Sequence, residues 1–181
     1  MGLAADFERC IAGGGIAVFP ADTVYGLACD PDNAAAVARM YALKGRAPDK
    51  PAAVMRFSLD DLPPLPPRTD AAARRLLPGP VTVVVGGLGL RVPDVPLLGG
   101  VRIAVLQTSA NHAGGPDARR LEDVPADIRA AADLVIDGGE LPGTPSTVVD
   151  LTRYEEMDEW TVLREGALPR AALDHALREA R

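Results

Sequence analysis

Apolar runs in this chain are short, and prolines, glycines or charged residues stand at their ends. The clearest is Val81-Thr82-Val83-Val84-Val85, a β-branched run that follows the turn Pro78-Gly79-Pro80. β-Branched side chains have few rotamers and suit a pleated surface, so the run predicts a strand. Runs of this kind alternate with stretches of helical spacing. Strands are expected at 16–19, 52–57, 81–85, 101–106, 133–136, 146–151 and 160–164. Helices are expected at 33–43 and 69–77, near 120–131, and at 169–180. Asn33 is placed to cap the first helix and Gly45 to stop it. The proline-rich DLPPLPPR, 61–68, forbids both regular structures and predicts a stiff surface connector. Some strands follow one another with no helix between them, so an α/β fold with a mixed parallel and antiparallel sheet is expected.

At 181 residues, 48% of them apolar, the chain can bury one substantial core, and a single domain over 1–181 is expected. No apolar run approaches the roughly 18 residues that span a bilayer, so no membrane partner is expected. The start, MGLAADFERC, lacks the basic opening and apolar middle of a signal peptide, which points to the cytoplasm. Cys10 and Cys29 lack the spacing of a zinc site or a disulfide framework and are expected to be buried thiols. A net charge of −6 argues against a protein whose main task is coating nucleic acid, although a local basic cleft remains open.

Such a cleft is suggested by LKGRAPDKP. Of 19 basic residues only Lys44 and Lys50 are lysine, and with Arg46 they crowd one loop interrupted by Gly45 and Pro48. Crowded cations repel unless an anion neutralises them, and a phosphate group does this well; a solvated basic loop is the alternative. Three further polar clusters lie at strand ends, where open α/β sheets place ligands. In FPADTVYGLACD, Pro20 removes a ladder donor and ends the strand, so that Asp22 and Thr23 fall on the emerging loop. Taken alone, this segment is best explained as a turn closed by the Asp22 side chain. QTSANHAGGP, 107–116, is expected to be a loop rich in short donors, and GTPSTVVD, 143–150, repeats that pattern before a strand. No P-loop, dinucleotide fingerprint or nucleophile elbow is present.

Together and in order, FPADTVYGLACD, LKGRAPDKP, LPGPVTVVV, LRVPDVP, TSANHAGGP, IDGGELPGTPSTVVD and VLREGAL resemble the YrdC-like family, whose single-domain bacterial members are threonylcarbamoyl-AMP synthases. The resemblance implies a twisted mixed sheet flanked by helices around a large concave basic cavity. It also implies a reaction in which L-threonine, bicarbonate and ATP give threonylcarbamoyl-adenylate and pyrophosphate, for modification of an adenosine in tRNA. By resemblance, Lys44, Arg46, Ser109 and Asn111 form the catalytic tetrad, and Arg46, Lys50, Ser109 and Arg164 bind ATP with magnesium sharing the charge. Thr23, Arg91 and Ser146 would bind threonine, Arg91 taking its carboxylate. Metal ligands on the protein are not assigned.

Ala21, Met55 and Asp117 depart from the family pattern, and the segment 92–108 is shorter than usual. These departures keep a second expectation open, a non-catalytic paralogue that binds nucleotide or RNA, double-stranded RNA included, in tRNA or rRNA maturation. A carbamoyl transferase acting on another acceptor ranks third.

Overall fold

Helix α2, Ala34–Lys44, shows how local sequence fixes an element that carries function. The Asn33 side chain accepts a hydrogen bond from the Ala36 N–H (3.0 Å), and Gly45 closes the helix in the left-handed conformation at φ 63°. The chain therefore turns sharply just after Lys44, and Arg46 starts the next loop. The structure, a computed structural model, describes residues 2–47, 50 and 52–179.

The strands are β1 Ala17–Pro20, β2 Tyr25–Cys29, β3 Ala53–Met55, β4 Val81–Val85, β5 Leu88–Arg91, β6 Val105–Ser109, β7 Leu134–Val135, β8 Thr147–Asp150 and β9 Thr161–Arg164. They form one sheet in the order β7-β1-β2-β6-β3-β5-β4-β8-β9. The β7–β1, β3–β5 and β4–β8 pairs are parallel and the others antiparallel, so the expected mixed α/β sheet is present. The other helices are α1 Leu3–Ala12, α3 Pro67–Leu76, α4 Ala126–Ala131, α5 Tyr154–Met157 and α6 Arg170–Glu179.

Alternation along the strands separates two faces. Leu106, Val54, Leu90, Val83 and Val149 follow one another across the pairing register and so share a face. On that side α2 and α4 pack against Leu27 and Cys29, while α3, α5 and α6 cover Val81, Val83, Val149 and Leu151. On the opposite face Ala17, Phe19, Ala28, Met55 and Val105 pack against Phe7 and Ile11 of α1 and against Leu98 and Val101. No described helix covers the rest of that face, from β3 to β9.

Several boundaries differ from the sequence expectation. The strand expected at 101–106 forms at Val105–Ser109, so Gln107, Thr108 and Ser109 are strand residues and not loop residues. Val101 and Ile103 are spent on the core with α1. The helix expected near 120–131 is split: a 3-10 turn at Leu121–Asp123 precedes α4, with Pro125 at the N-cap. The Pro-rich connector gives way at Pro67, the first residue of α3, a position where the missing N–H costs nothing. Helix α1 and strands β2 and β5 were not expected.

Candidate functional site

The uncovered part of the sheet is the floor of a cavity of about 470 Å³. Small residues make the space. Gln107 pairs with Ala53, Gly89 lies against Ala53, and Gly89 pairs with Val84, which pairs with Asp150. A Cβ on Gly89 would meet Ala53 at 3.4 Å, so little more than backbone occupies the centre of the floor. Polar side chains surround it, and they fall into four groups.

In the first, Lys44 is 4% exposed, and its Nζ donates to Ser109 O (2.7 Å), Ser109 Oγ (3.2 Å), Asn111 O (3.0 Å) and Asn111 Oδ1 (2.6 Å). Ser109 Oγ also donates to Asn111 Oδ1 (2.7 Å), and Asn111 Nδ2 to Gly115 O (2.7 Å). The ammonium thus ties the end of α2 to the turn after β6. Burial, helped by the Arg46 charge and opposed by Asp117, lowers the Lys44 pKa from 10.5 to about 8.

Arg46 forms the second group. On its β6 side, strand β3 pairs with Val105, Leu106 and Gln107, so β6 runs on past it, and Arg46 Nη1 reaches Thr108 Oγ1 there (3.4 Å). Arg46 Nε donates to Lys50 O (3.3 Å), as does the Tyr41 hydroxyl (2.8 Å). The Lys50 side chain is exposed; its neighbours Pro48, Asp49 and Pro51 lie outside the described residues.

The third group is buried. Arg91 Nη2 donates to the Asp22 carboxylate and to Thr23 Oγ1 (2.7 Å), while its Nε has no hydrogen-bond partner. Asp22 Oδ2 also accepts the Asp94 N–H (3.3 Å). Burial raises the Asp22 pKa above the usual carboxylate range, and Arg91 offsets this only in part. The expectation that Asp22 merely closes its own turn is therefore corrected: its carboxylate crosses to β5 and the loop beyond it, because burial demands a partner for both charges.

In the fourth group Arg164 donates from Nε (3.2 Å) and Nη2 (2.6 Å) to Ser146 O, and from Nη2 to Ser146 Oγ (3.2 Å). Ser146 Oγ lies 3.0 Å from Thr82 Oγ1. Burial lowers the Arg164 pKa; Asp117 opposes this, and the Arg91 and Arg46 charges add to it. Three guanidinium groups from separate strands and loops therefore feel one another across a single hollow, which favours an anion between them.

Of the residues expected from sequence, Arg46, Arg91, Ser109, Ser146 and Arg164 line the cavity. Lys44 and Asn111 stand behind Ser109, and Thr23 stands behind Arg91. Thr82 also lines it and was not anticipated, as do Gln107, Thr108 and Asp150, which lie inside the polar clusters 107–116 and 143–150 but were not singled out as site residues. A strand placed at 105–109 would have shown Gln107 on the same face as Ser109. Among the described residues no three His, Cys, Asp or Glu side chains form a metal cluster. Asp117, close enough to act on Lys44 and Arg164, and Asp150 on the wall are the carboxylates at hand.

A family model described as telomere recombination, Sua5/YciO/YrdC, matches residues 9–166. The chain belongs to the Sua5/YciO/YrdC family. A threonylcarbamoyl-AMP synthase from Pyrococcus abyssi is 31% identical across 99% of this chain, which spans 57% of that relative's length. One from Chromohalobacter salexigens is 34% identical over 84% of this chain and 95% of its own. The crystal structure of P. abyssi Sua5 complexed with L-threonine superposes with a TM-score of 0.83 at 27% identity, covering 96% of this chain and 56% of that one. The family's twisted sheet is thus the fold seen here.

Proposed function

We propose that this chain is a threonylcarbamoyl-AMP synthase, a nucleotidyltransferase that converts L-threonine, bicarbonate and ATP to threonylcarbamoyl-adenylate and pyrophosphate. The observation that carries this is the convergence of Arg46, Arg91 and Arg164 on one cavity lined with hydroxyls. Arg91 takes the threonine carboxylate with the part of its guanidinium that lines the cavity, and Thr23 and Ser146 stand at the amino acid's polar groups. Arg46, Lys50 and Arg164 hold the triphosphate. Ser109 faces the adenylate, and Lys44 and Asn111 fix its position.

The threonine amine adds to bicarbonate with loss of water. A carbamate oxygen then attacks the α-phosphorus, and the bond to pyrophosphate breaks. Nucleophile and electrophile are both anionic, so charge neutralisation and alignment carry most of the barrier, and no strongly basic side chain is needed. Magnesium, entering with ATP, would neutralise phosphate charge and needs only one or two protein carboxylates, for which Asp117 and Asp150 are placed. The product is a mixed anhydride for a tRNA-modifying partner in the cytoplasm. No described helix is long and apolar enough to cross a membrane.

RNA binding as the sole activity is less well supported. Outside the cavity, Arg119 and Arg120 pair with Glu140, Arg39 with Asp133 and Arg75 with Glu179, so much of the exterior arginine charge is already neutralised. The test is pyrophosphate release from ATP. The expected result is release that depends on both threonine and bicarbonate, and its absence beside a working synthase overturns the proposal.

A further inference from the structure

One polar side chain on the cavity floor has no part in the chemistry above. Gln107 lies at the centre of β6, is 5% exposed and lines the cavity. Its carboxamide forms no hydrogen bond with any described residue, in a site where Thr82, Ser146, Thr108 and Ser109 all have partners. The carboxamide is not among the sealed polar atoms that lack a partner, so both its N–H groups and its carbonyl open onto the hollow. It therefore offers donors and an acceptor to whatever fills the cavity, which a hydrocarbon side chain of the same size would not.

Position narrows the ligand. Gln107 pairs with Ala28 and Ala53, and neither neighbour rises from the floor to meet the amide. Ser109 lies two residues along β6 on the same face. In the other direction the next row runs from Val105 through Met55 to Arg91. A molecule with its carboxylate on Arg91 and its phosphoryl end near Arg46 and Ser109 therefore passes over Gln107 with its middle. Gly26 leaves the room: a Cβ there would come within 2.8 Å of Gln107 Nε2 and 3.0 Å of Phe19 Cε1.

We propose that the Gln107 carboxamide recognises the planar carbamate of N-carboxy-L-threonine, donating from Nε2 to one carbamate oxygen and accepting the carbamate N–H at Oε1. The inference rests on the proposed synthase function. A primary amide and a carbamate present matching donor and acceptor edges, whereas the ammonium of free threonine has no acceptor for Nε2. Gln107 thus selects the carboxylated amino acid over the free one and leaves the second carbamate oxygen to attack phosphorus.

The test is calorimetry of the wild type, Gln107→Met and Gln107→Ala with L-threonine and with N-methoxycarbonyl-L-threonine, a stable carbamate, in the presence of a non-hydrolysable ATP analogue. Methionine keeps the volume and removes the hydrogen bonds. Both variants are expected to lose about tenfold in affinity for the carbamate, while threonine and nucleotide affinities stay within about twofold. In turnover, the variants should raise the KM for bicarbonate more than they lower kcat. Equal carbamate affinity in variants and wild type overturns the inference, as does a parallel loss of all three ligands, which would mark a structural role. Wild type that binds threonine but not the carbamate overturns this inference alone. Wild type that binds neither defeats the synthase proposal, and this inference with it.

Discussion

The two faces of the same strands are built on opposite rules. Leu90, Val83 and Val149 point to the helix-covered side and are at most 1% exposed. Their immediate neighbours Arg91, Thr82 and Val148 point to the cavity, where charge, hydroxyl groups and empty space replace packing. The covered face supplies stability and the open face supplies chemistry. A slip of one residue in register would exchange the two sets and destroy both.

This division can be broken from either side. The largest effect is expected on the open face: Arg46→Ala or Arg164→Ala should slow threonine-dependent pyrophosphate release by about 10²–10³-fold, the usual consequence of losing one transition-state donor. Denaturant midpoints should barely move. If either variant keeps full rate, that arginine is not part of the site.

Arg91→Met should cross the boundary between the faces. It leaves the Asp22 carboxylate buried without its ion partner, at a cost of about 3–5 kcal/mol, and abolishes activity as well. Adding Asp22→Asn should restore most of the stability and none of the activity, as read by urea melts and the pyrophosphate assay side by side. Recovery of both would show that Arg91 serves only the fold.

Leu90→Ala, one residue earlier, should cost about 2–5 kcal/mol in a urea melt while leaving the threonine KM of the folded enzyme unchanged.

The smallest effect is a pH dependence. The Lys44 pKa is lowered to about 8, so its charge is lost as pH rises through that value, and ATP affinity measured by calorimetry should weaken several-fold between pH 7 and 9. Folding responds with the opposite sign. Between about 8 and 10.5 the unfolded chain binds more protons at this lysine than the folded one, so Lys44's contribution to stability rises with pH across that window. A Lys44→Met protein should show neither trend.

What could be read in the sequence follows the same division. Helix α2 carries its start signal, Asn33, and its stop signal, Gly45, and β4 carries four valines, so both elements were legible. Helix α1 has Gly2 at its N-cap with no side-chain bond, which removes the usual start signal, and only Phe7 and Ile11 are buried. Strands β2 and β5 contain Gly26 and Gly89, and glycine weakens a strand pattern. These glycines let Gln107 fit and keep the floor open, so the demands of the cavity removed the local signal for the strands that form it. Strand β6 was displaced for a related reason: Gln107-Thr108-Ser109 is as polar as a loop, and only pairing with β2 and β3 makes it a strand. The basic loop at Lys44 and Arg46 was legible because lysine is so rare in this chain.

Lys44 offers three N–H protons to four oxygens within 3.2 Å, which leaves no proton free for an arriving phosphate. It therefore acts as a fixed point charge set into the wall, felt through space. Added electrolyte screens a solvent-facing ammonium such as Lys50 and hardly touches one sealed inside protein, so the attraction that survives in strong brine is the one Lys44 supplies.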